Sequence, residues 1–385
     1  MKILVAITLL LFTFGQLGRI TPFEIPIFSN LYEIGLFSVG INLFTKYQFA
    51  KEIVKTKFFK PSLIFFSWLL LTLFVSFFFY KPIPNLIASL YFVRMLAYFL
   101  FFFYFYHHIK QNPKEKPFYI RSILITSCIV IVFSIVQYWL YPNLGNLAYQ
   151  GWDPHLYRLV GLFFDPPVTA SVFFLFGLFL YYSTLRLYIK VGFISVLTIL
   201  FFLTYSRGGF LALLVTLAIF SLRKMKVTYL LAGVAIMACA YVIMPKNMSE
   251  GLNLMRTTSI QTRLADYSKA IKIWQKNPVL GIGYNHIRFE KDSYESEVIT
   301  EEYNPSHASS SFHSSFLIIL ATSGVVGLIL YVYLLGRIAT INLFAFYSVI
   351  FLSVFSLTDN VLLHPFILFL LFFLIPLIHP SDKSL

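Results

Sequence analysis

Five basic side chains stand out in a chain that carries few charges: Arg94, Arg158, Arg207, Arg263 and His313. Arg94 falls near the middle of the apolar stretch 83–106, too deep to reach water easily. An ionisable group there is costly in lipid, so it marks a tie to backbone carbonyls or a contact with an anion or headgroup. Arg207 lies in Tyr205-Ser206-Arg207-Gly208-Gly209, a connection too short to be a free loop. The glycines permit close backbone approach, and the helix that follows offers free amide donors and a positive dipole. An arginine at that point makes a phosphate seat or, more simply, an interfacial anchor. Arg158 precedes Gly161 and Asp165-Pro166-Pro167. The prolines are expected to break a helix beside a cavity, and Arg158 and Asp165 are candidates to pair with each other. Arg263 opens an amphipathic segment, and His313 opens an apolar one, where an imidazole can exchange protons near neutral pH or serve structure alone.

The elements that must position these residues are membrane helices. The 385 residues are 58% hydrophobic and only 12% charged, against about 25% charged in a soluble domain. Apolar stretches of 18 or more residues recur along the chain, and a backbone crossing lipid must satisfy its own hydrogen bonds. The reading is an all-α, polytopic membrane protein with about twelve spans, at 3–18, 30–46, 61–80, 83–106, 119–141, 160–183, 190–205, 208–222, 227–244, 313–335, 338–357 and 361–378. The net charge of +14 would suit nucleic acid, but the lysines lie between apolar spans, so no nucleic-acid partner is expected. Cys128 and Cys239 fall inside spans and read as packing residues.

Basic residues concentrate in alternate connections. Lys46 to Lys60, Lys110 to Arg121, Arg186 with Lys190, Arg223 to Lys226, Arg337 and Lys383 fall on the same side as Lys2, while the opposite short connections hold only Arg19, Lys81, Arg158 and Arg207. By the positive-inside rule both termini are cytoplasmic. The chain is then one polytopic domain, 1–385, with a large outer loop at 245–312 between the ninth and tenth spans. Within that loop 262–277 is amphipathic, with Leu264, Tyr267, Ile271 and Trp274 on one face, and Pro278, Gly281 and Gly283 close it in a turn. Glu290, Asp292, Glu295, Glu297, Glu301 and Glu302 form an acidic stretch that reads as solvated surface. No nucleotide-binding loop, metal-binding Asp-x-Asp pair or protease motif is present. Arginines outnumber carboxylates among the candidates, which favours a metal-free site for an anionic ligand such as a diphosphate, with no cofactor.

The ordered pieces resemble the O-antigen ligase and O-antigen polymerase family of bacterial membrane glycosyltransferases. They are Arg158-Leu159-Val160-Gly161 with Asp165-Pro166; Tyr205-Ser206-Arg207-Gly208-Gly209; Arg263 with Trp274 and Asn277-Pro278-Val279-Leu280-Gly281-Ile282-Gly283; and His313 with Leu317, Leu320, Gly324 and Gly327. Arg94 also looks family-like. Two positions depart from the common pattern: His313-Ser314 stands for His-Asn, and Asp165-Pro166-Pro167 for Asp-Pro-Asn.

The resemblance implies a membrane-glycosyltransferase architecture of the GT-C-like type in the bacterial inner membrane. It implies an undecaprenyl-diphosphate-linked glycan as donor and a glycan or lipid A-core as acceptor, with membrane lipids around both. Arg207 and Arg263 would hold the diphosphate and His313 would be the general base, with Arg94, Arg158, Asp165 and Tyr205 in support. The competing class is a transporter or flippase of lipid-linked oligosaccharide, which twelve helices would also suit. Glu24 is the alternative carboxylate base.

Overall fold

A computed structural model describes residues 1–20, 29–47, 51–150, 155–244, 252–253, 258–295 and 311–378. The first half of the chain forms α1 Lys2–Thr13, α2 Leu31–Lys46, α3 Lys51–Val54, α4 Phe59–Ser76, α5 Pro82–Gln111 and α6 Lys116–Leu140. After it come α7 Pro166–Tyr182, α8 Leu187–Leu203, α9 Arg207–Lys224 and α10 Thr228–Ile243. Helices α11 Thr258–Lys276 and α12 Ile287–Glu295 precede α13 Ser315–Ala339, α14 Leu343–Phe355 and α15 Pro365–Leu374. Among the described residues β-structure is limited to a two-residue antiparallel ladder, Arg19–Ile20 with Ser29–Asn30, and one bridge between Asn143 and Leu156.

A helix stands at each of the twelve segments expected to be apolar spans, with α3, α11 and α12 additional. Among the described residues four stretches are long and apolar enough to cross a membrane: Phe59–Ser76, Pro82–Gln111, Pro113–Leu140 and Ser315–Ala339. Six further apolar helices are shorter. Large apolar side chains point outward around the bundle, Ile3, Phe78, Leu140 and Ile243 among them, each more than two-thirds exposed. Water would penalise so extensive an apolar surface, and lipid would not. Cys128 and Cys239 are free and exposed on this surface, so they are not the packing residues that their position in apolar stretches suggested.

The interior is aromatic. Phe12 of α1, Tyr32 of α2, Phe163, and Phe366 and Phe369 of α15 form one cluster with ring centroids 5.0–5.7 Å apart. Within this apolar interior lies an ion pair that sequence reading missed. Arg94 of α5 meets Glu33 of α2 at 2.6 Å from Nη2 and 2.7 Å from Nε, both to Oε1. Tyr98 donates to the same oxygen, and the Asn30 amide donates to Glu33 Oε2 at 3.0 Å. Arg94 is therefore tied to a carboxylate, not to backbone carbonyls. With both charges hydrogen-bonded, their desolvation is offset.

The segment before α7 is where the prolines act, and they act as helix starters. Pro166 occupies the first turn of α7, where a missing amide costs nothing, so the helix begins there and is not broken there. The irregular backbone at 160–164 is satisfied by Gln137, whose Oε1 accepts from the Val160 and Gly161 amides at 3.0 Å each. Thr169 Oγ1 donates to the Val160 carbonyl.

Helix α13 is interrupted at Gly324, which has φ +67° and ψ −174°. The turn that follows α11 docks into that interruption. The amides of Ile282 and Gly283 donate to the carbonyls of Ala321 and Thr322 at 3.0 Å, and the Val325 amide donates to the Pro278 carbonyl at 2.9 Å. A Cβ at Gly324 would overlap the Val279 carbonyl, and one at Gly281, φ +70°, would run into the Thr322–Ser323 peptide. Gly324→Ala should therefore cost about 2 kcal/mol or more from left-handed strain and overlap together, and should undock the turn. Thermal unfolding in detergent and limited proteolysis after residue 276 check this. An unchanged melting temperature with unchanged protection contradicts it. Arg94→Ala, which strands Glu33, should cost about 3–5 kcal/mol, and Glu33→Gln added to it should recover part of that loss in the same unfolding assay.

Candidate functional site

The docked turn holds α11 across the start of α13, and this fixes which face of α11 is inward. That face is Arg263, Asp266, Ala270 and Ile273, with Asp266 5% exposed and Ile273 fully buried. It is rotated from the face expected from the large apolar residues, since Leu264 is exposed. The reason is electrostatic: Asp266 is paired on both sides, so a carboxylate takes a position that an apolar count assigns to a hydrophobe.

His313 lies just outside α13, one residue before its N-cap Ser314 and two before the first helical residue, not at the first turn as its place in the sequence suggested. Its Nδ1 lies 2.8 Å from Asp266 Oδ2, and its backbone amide donates to the same oxygen at 2.9 Å. Lys291 of α12 pairs with the other Asp266 oxygen at 2.6 Å and donates to the Ser311 carbonyl at 2.9 Å. Burial opposes ionisation of Asp266, but the hydrogen bonds from His313 and Lys291 outweigh it and hold its pKa below the ordinary carboxylate value. An ionised Asp266 accepts the hydrogen bond of Nδ1–H, which leaves the Nε2 lone pair as the acceptor of a one-third exposed ring.

Arg263 Nη2 meets Asp359 Oδ1 at 2.8 Å, in the turn between α14 and α15. Burial raises the Asp359 pKa, with Arg263, Thr358 and the nearby His313 opposing. The Tyr267 hydroxyl donates to the Leu357 carbonyl in the same turn. Arg207 is the first residue of α9 and lies within electrostatic range of both Arg263 and Asp359. Gly208 explains that proximity. A Cβ there would overlap Thr358 Oγ1 and come within 3.0 Å of Asp359 Oδ2, so the glycine admits the α14–α15 turn. The close approach expected from the glycine pair is thus between two protein segments.

The structure brings together Arg207, Arg263 and His313, and adds Asp266, Lys291 and Asp359, which the sequence reading did not name. Arg158 sits behind α9 with its Nε donating to the Thr204 carbonyl at 3.0 Å and its Nη2 to the Tyr205 carbonyl at 3.3 Å. Tyr205 itself is buried, in the left-handed region at φ +51°. These two position the start of α9. Asp165 is the half-buried N-cap of α7. Arg94 belongs to the Glu33 pair. Of the acidic stretch, Glu290 bonds Tyr80 at 2.7 Å and Lys276 at 3.1 Å, and so ties α12 to the bundle. Glu24, Glu297, Glu301 and Glu302 lie outside the described residues.

Residues 191–332 match the family model described as O-antigen ligase. This match supports the O-antigen ligase and polymerase family over that stretch. The matched stretch runs from within α8 into α13 and includes Arg207, Arg263, Asp266, Lys291 and His313, while Asp359 follows it and Arg94 and Arg158 precede it. No curated protein matches the chain. The family supports a membrane glycan-transfer function in general, of glycosyltransferase type, with a lipid-linked glycan and an acceptor as substrates. The apolar helices and the family fit a multi-pass protein of the bacterial inner membrane.

The Asp266 pairing gives a pH expectation. A carboxylate held below its ordinary pKa contributes stability that is complete above that ordinary value, about 4, and is lost as pH falls through the lower folded value. The melting temperatures of the parent protein and Asp266→Asn should differ by a constant amount between about pH 5 and 8 and converge only in acid below about pH 4. Convergence already at neutral pH would contradict an ionised, paired Asp266.

Proposed function

We propose that the chain transfers a glycan from an undecaprenyl-diphosphate carrier to an acceptor hydroxyl at the outer face of the membrane, in the manner of an O-antigen ligase or polymerase. Twelve crossings with both termini in the cytoplasm would put the 245–312 loop, with α11 and α12, on that outer face. The observation that carries the reading is the convergence of two arginines and a carboxylate-held histidine from α9, α11 and the start of α13.

The proposed chemistry is a displacement at the anomeric carbon. Breaking the bond between the anomeric carbon and the diphosphate leaves negative charge on the leaving oxygen. Arg207 and Arg263 are placed to take that charge, and they do so without a metal because guanidinium forks match phosphate oxygens. Asp359 keeps Arg263 aimed before the ligand arrives and yields it to the stronger anion. His313 Nε2 takes the proton of the acceptor hydroxyl as that oxygen attacks from the face opposite the diphosphate, which inverts the anomeric centre. Asp266 stabilises the imidazolium that forms, and Lys291 keeps Asp266 ionised.

His313→Ala should lower the rate of glycan transfer by about 10²–10⁴-fold with the protein still folded. Arg207→Ala and Arg263→Ala should lower it comparably through the leaving group. Transfer to an acceptor from a lipid-diphosphate donor, followed by gel or mass shift, checks all three, and full activity in His313→Ala would remove the base role.

A further inference from the structure

A basic cavity lies beside the cluster. It has a volume of about 230 Å³, roughly that of seven or eight waters, and sits between α5, the start of α12 and the α14–α15 turn. Arg94 and Arg288 line it, with Tyr91, Tyr284 and Phe289 as aromatic wall. Arg94 is neutralised by Glu33. Arg288 has no carboxylate within ion-pair distance among the described residues, so the described lining carries a net positive charge. His364 also lines the cavity, and its buried Nδ1 has no hydrogen-bond partner among the described residues. A ligand hydroxyl or a water in the cavity would supply that partner.

The wall between this cavity and the His313 cluster is two short segments. Ser311 lines the cavity, and its carbonyl accepts from Lys291, the residue that pairs with Asp266. Asn360 lines it too, accepts from Ser315 at 2.9 Å and follows Asp359 directly in the chain. A ligand held here would present itself to the His313 side while staying clear of Arg207 and Arg263.

We propose that this cavity binds an anionic sugar, one bearing a phosphate or carboxylate. Arg288 would take the anion, the aromatic wall the apolar face of the ring, and Asn360 and His364 the hydroxyls. That this sugar is the acceptor end of a transferred glycan rests on the transfer reading above, whereas binding itself does not.

The experiment is equilibrium binding of glucose 6-phosphate, glucose and inorganic phosphate to the full chain in nanodiscs of zwitterionic lipid. Glucose 6-phosphate should bind, and glucose should bind about tenfold or more weakly. Arg288→Gln should weaken glucose 6-phosphate by a similar factor, Arg288→Lys by much less, and Arg207→Ala should leave it unchanged. Equal binding of glucose and glucose 6-phosphate overturns the proposal. So does loss in Arg207→Ala with retention in Arg288→Gln, which puts the ligand in the first cluster. Displacement of glucose 6-phosphate by phosphatidylglycerol nanodiscs assigns the cavity to a lipid headgroup and overturns the sugar. Because no turnover is measured, a failed transfer assay leaves this result standing, and the reverse also holds.

Discussion

Everything at the candidate site depends on one backbone interlock. Helix α13 opens at Gly324, and the glycine turn after α11 fills the opening with three backbone hydrogen bonds. A helix in lipid cannot leave amides and carbonyls unpaired, so the break is stable only because the loop supplies partners. The loop is seated again at Glu290 and His286, where His286 Nε2 meets Asn85 Oδ1 at 2.9 Å beneath a stacked Tyr80. Burial lowers the His286 pKa, which suits a neutral strut. From this seat α11 projects Arg263 and Asp266 back over the start of α13.

The electrostatics of the site follow from that placement. Arg263 pairs with Asp359 within electrostatic range of Arg207, and a histidine and a lysine meet the two oxygens of Asp266. Each carboxylate holds a cation in position, and the two pairs are joined by the α14–α15 turn and by segment 311–315. In the proposed reaction Arg263 is held beforehand by Asp359, so little of it need move when charge develops.

Much of the fold was legible because lipid imposes a coarse rule on composition. Runs of apolar residues located the helices to within about six positions. Arg207 was legible as a basic exception in a short connection, and Arg263 and His313 as basic residues opening the amphipathic and apolar segments of and after the large loop. Glu33, Asp266, Lys291 and Asp359 were not. Their meaning lies in partners 25 to 96 residues away, as in Asp266 with Lys291 and Arg263 with Asp359, and no local spacing encodes those pairs. The face of α11 was misread for the same reason, because a paired carboxylate is buried where an unpaired one would be excluded. Pro166-Pro167 was misread because proline reads as a breaker inside a helix and as a starter at its first turn, and only the boundary decides.

The central claim is that a glycosidic bond is made at the His313 cluster with loss of a lipid diphosphate. The most direct measurement is the fate of an anomerically defined lipid-diphosphate glycan given to the purified chain with an acceptor, followed by phosphorus and carbon NMR. The account predicts free lipid diphosphate and a new glycosidic bond of inverted configuration. A donor recovered intact on the opposite side of the membrane, or a product with retained configuration, would contradict it.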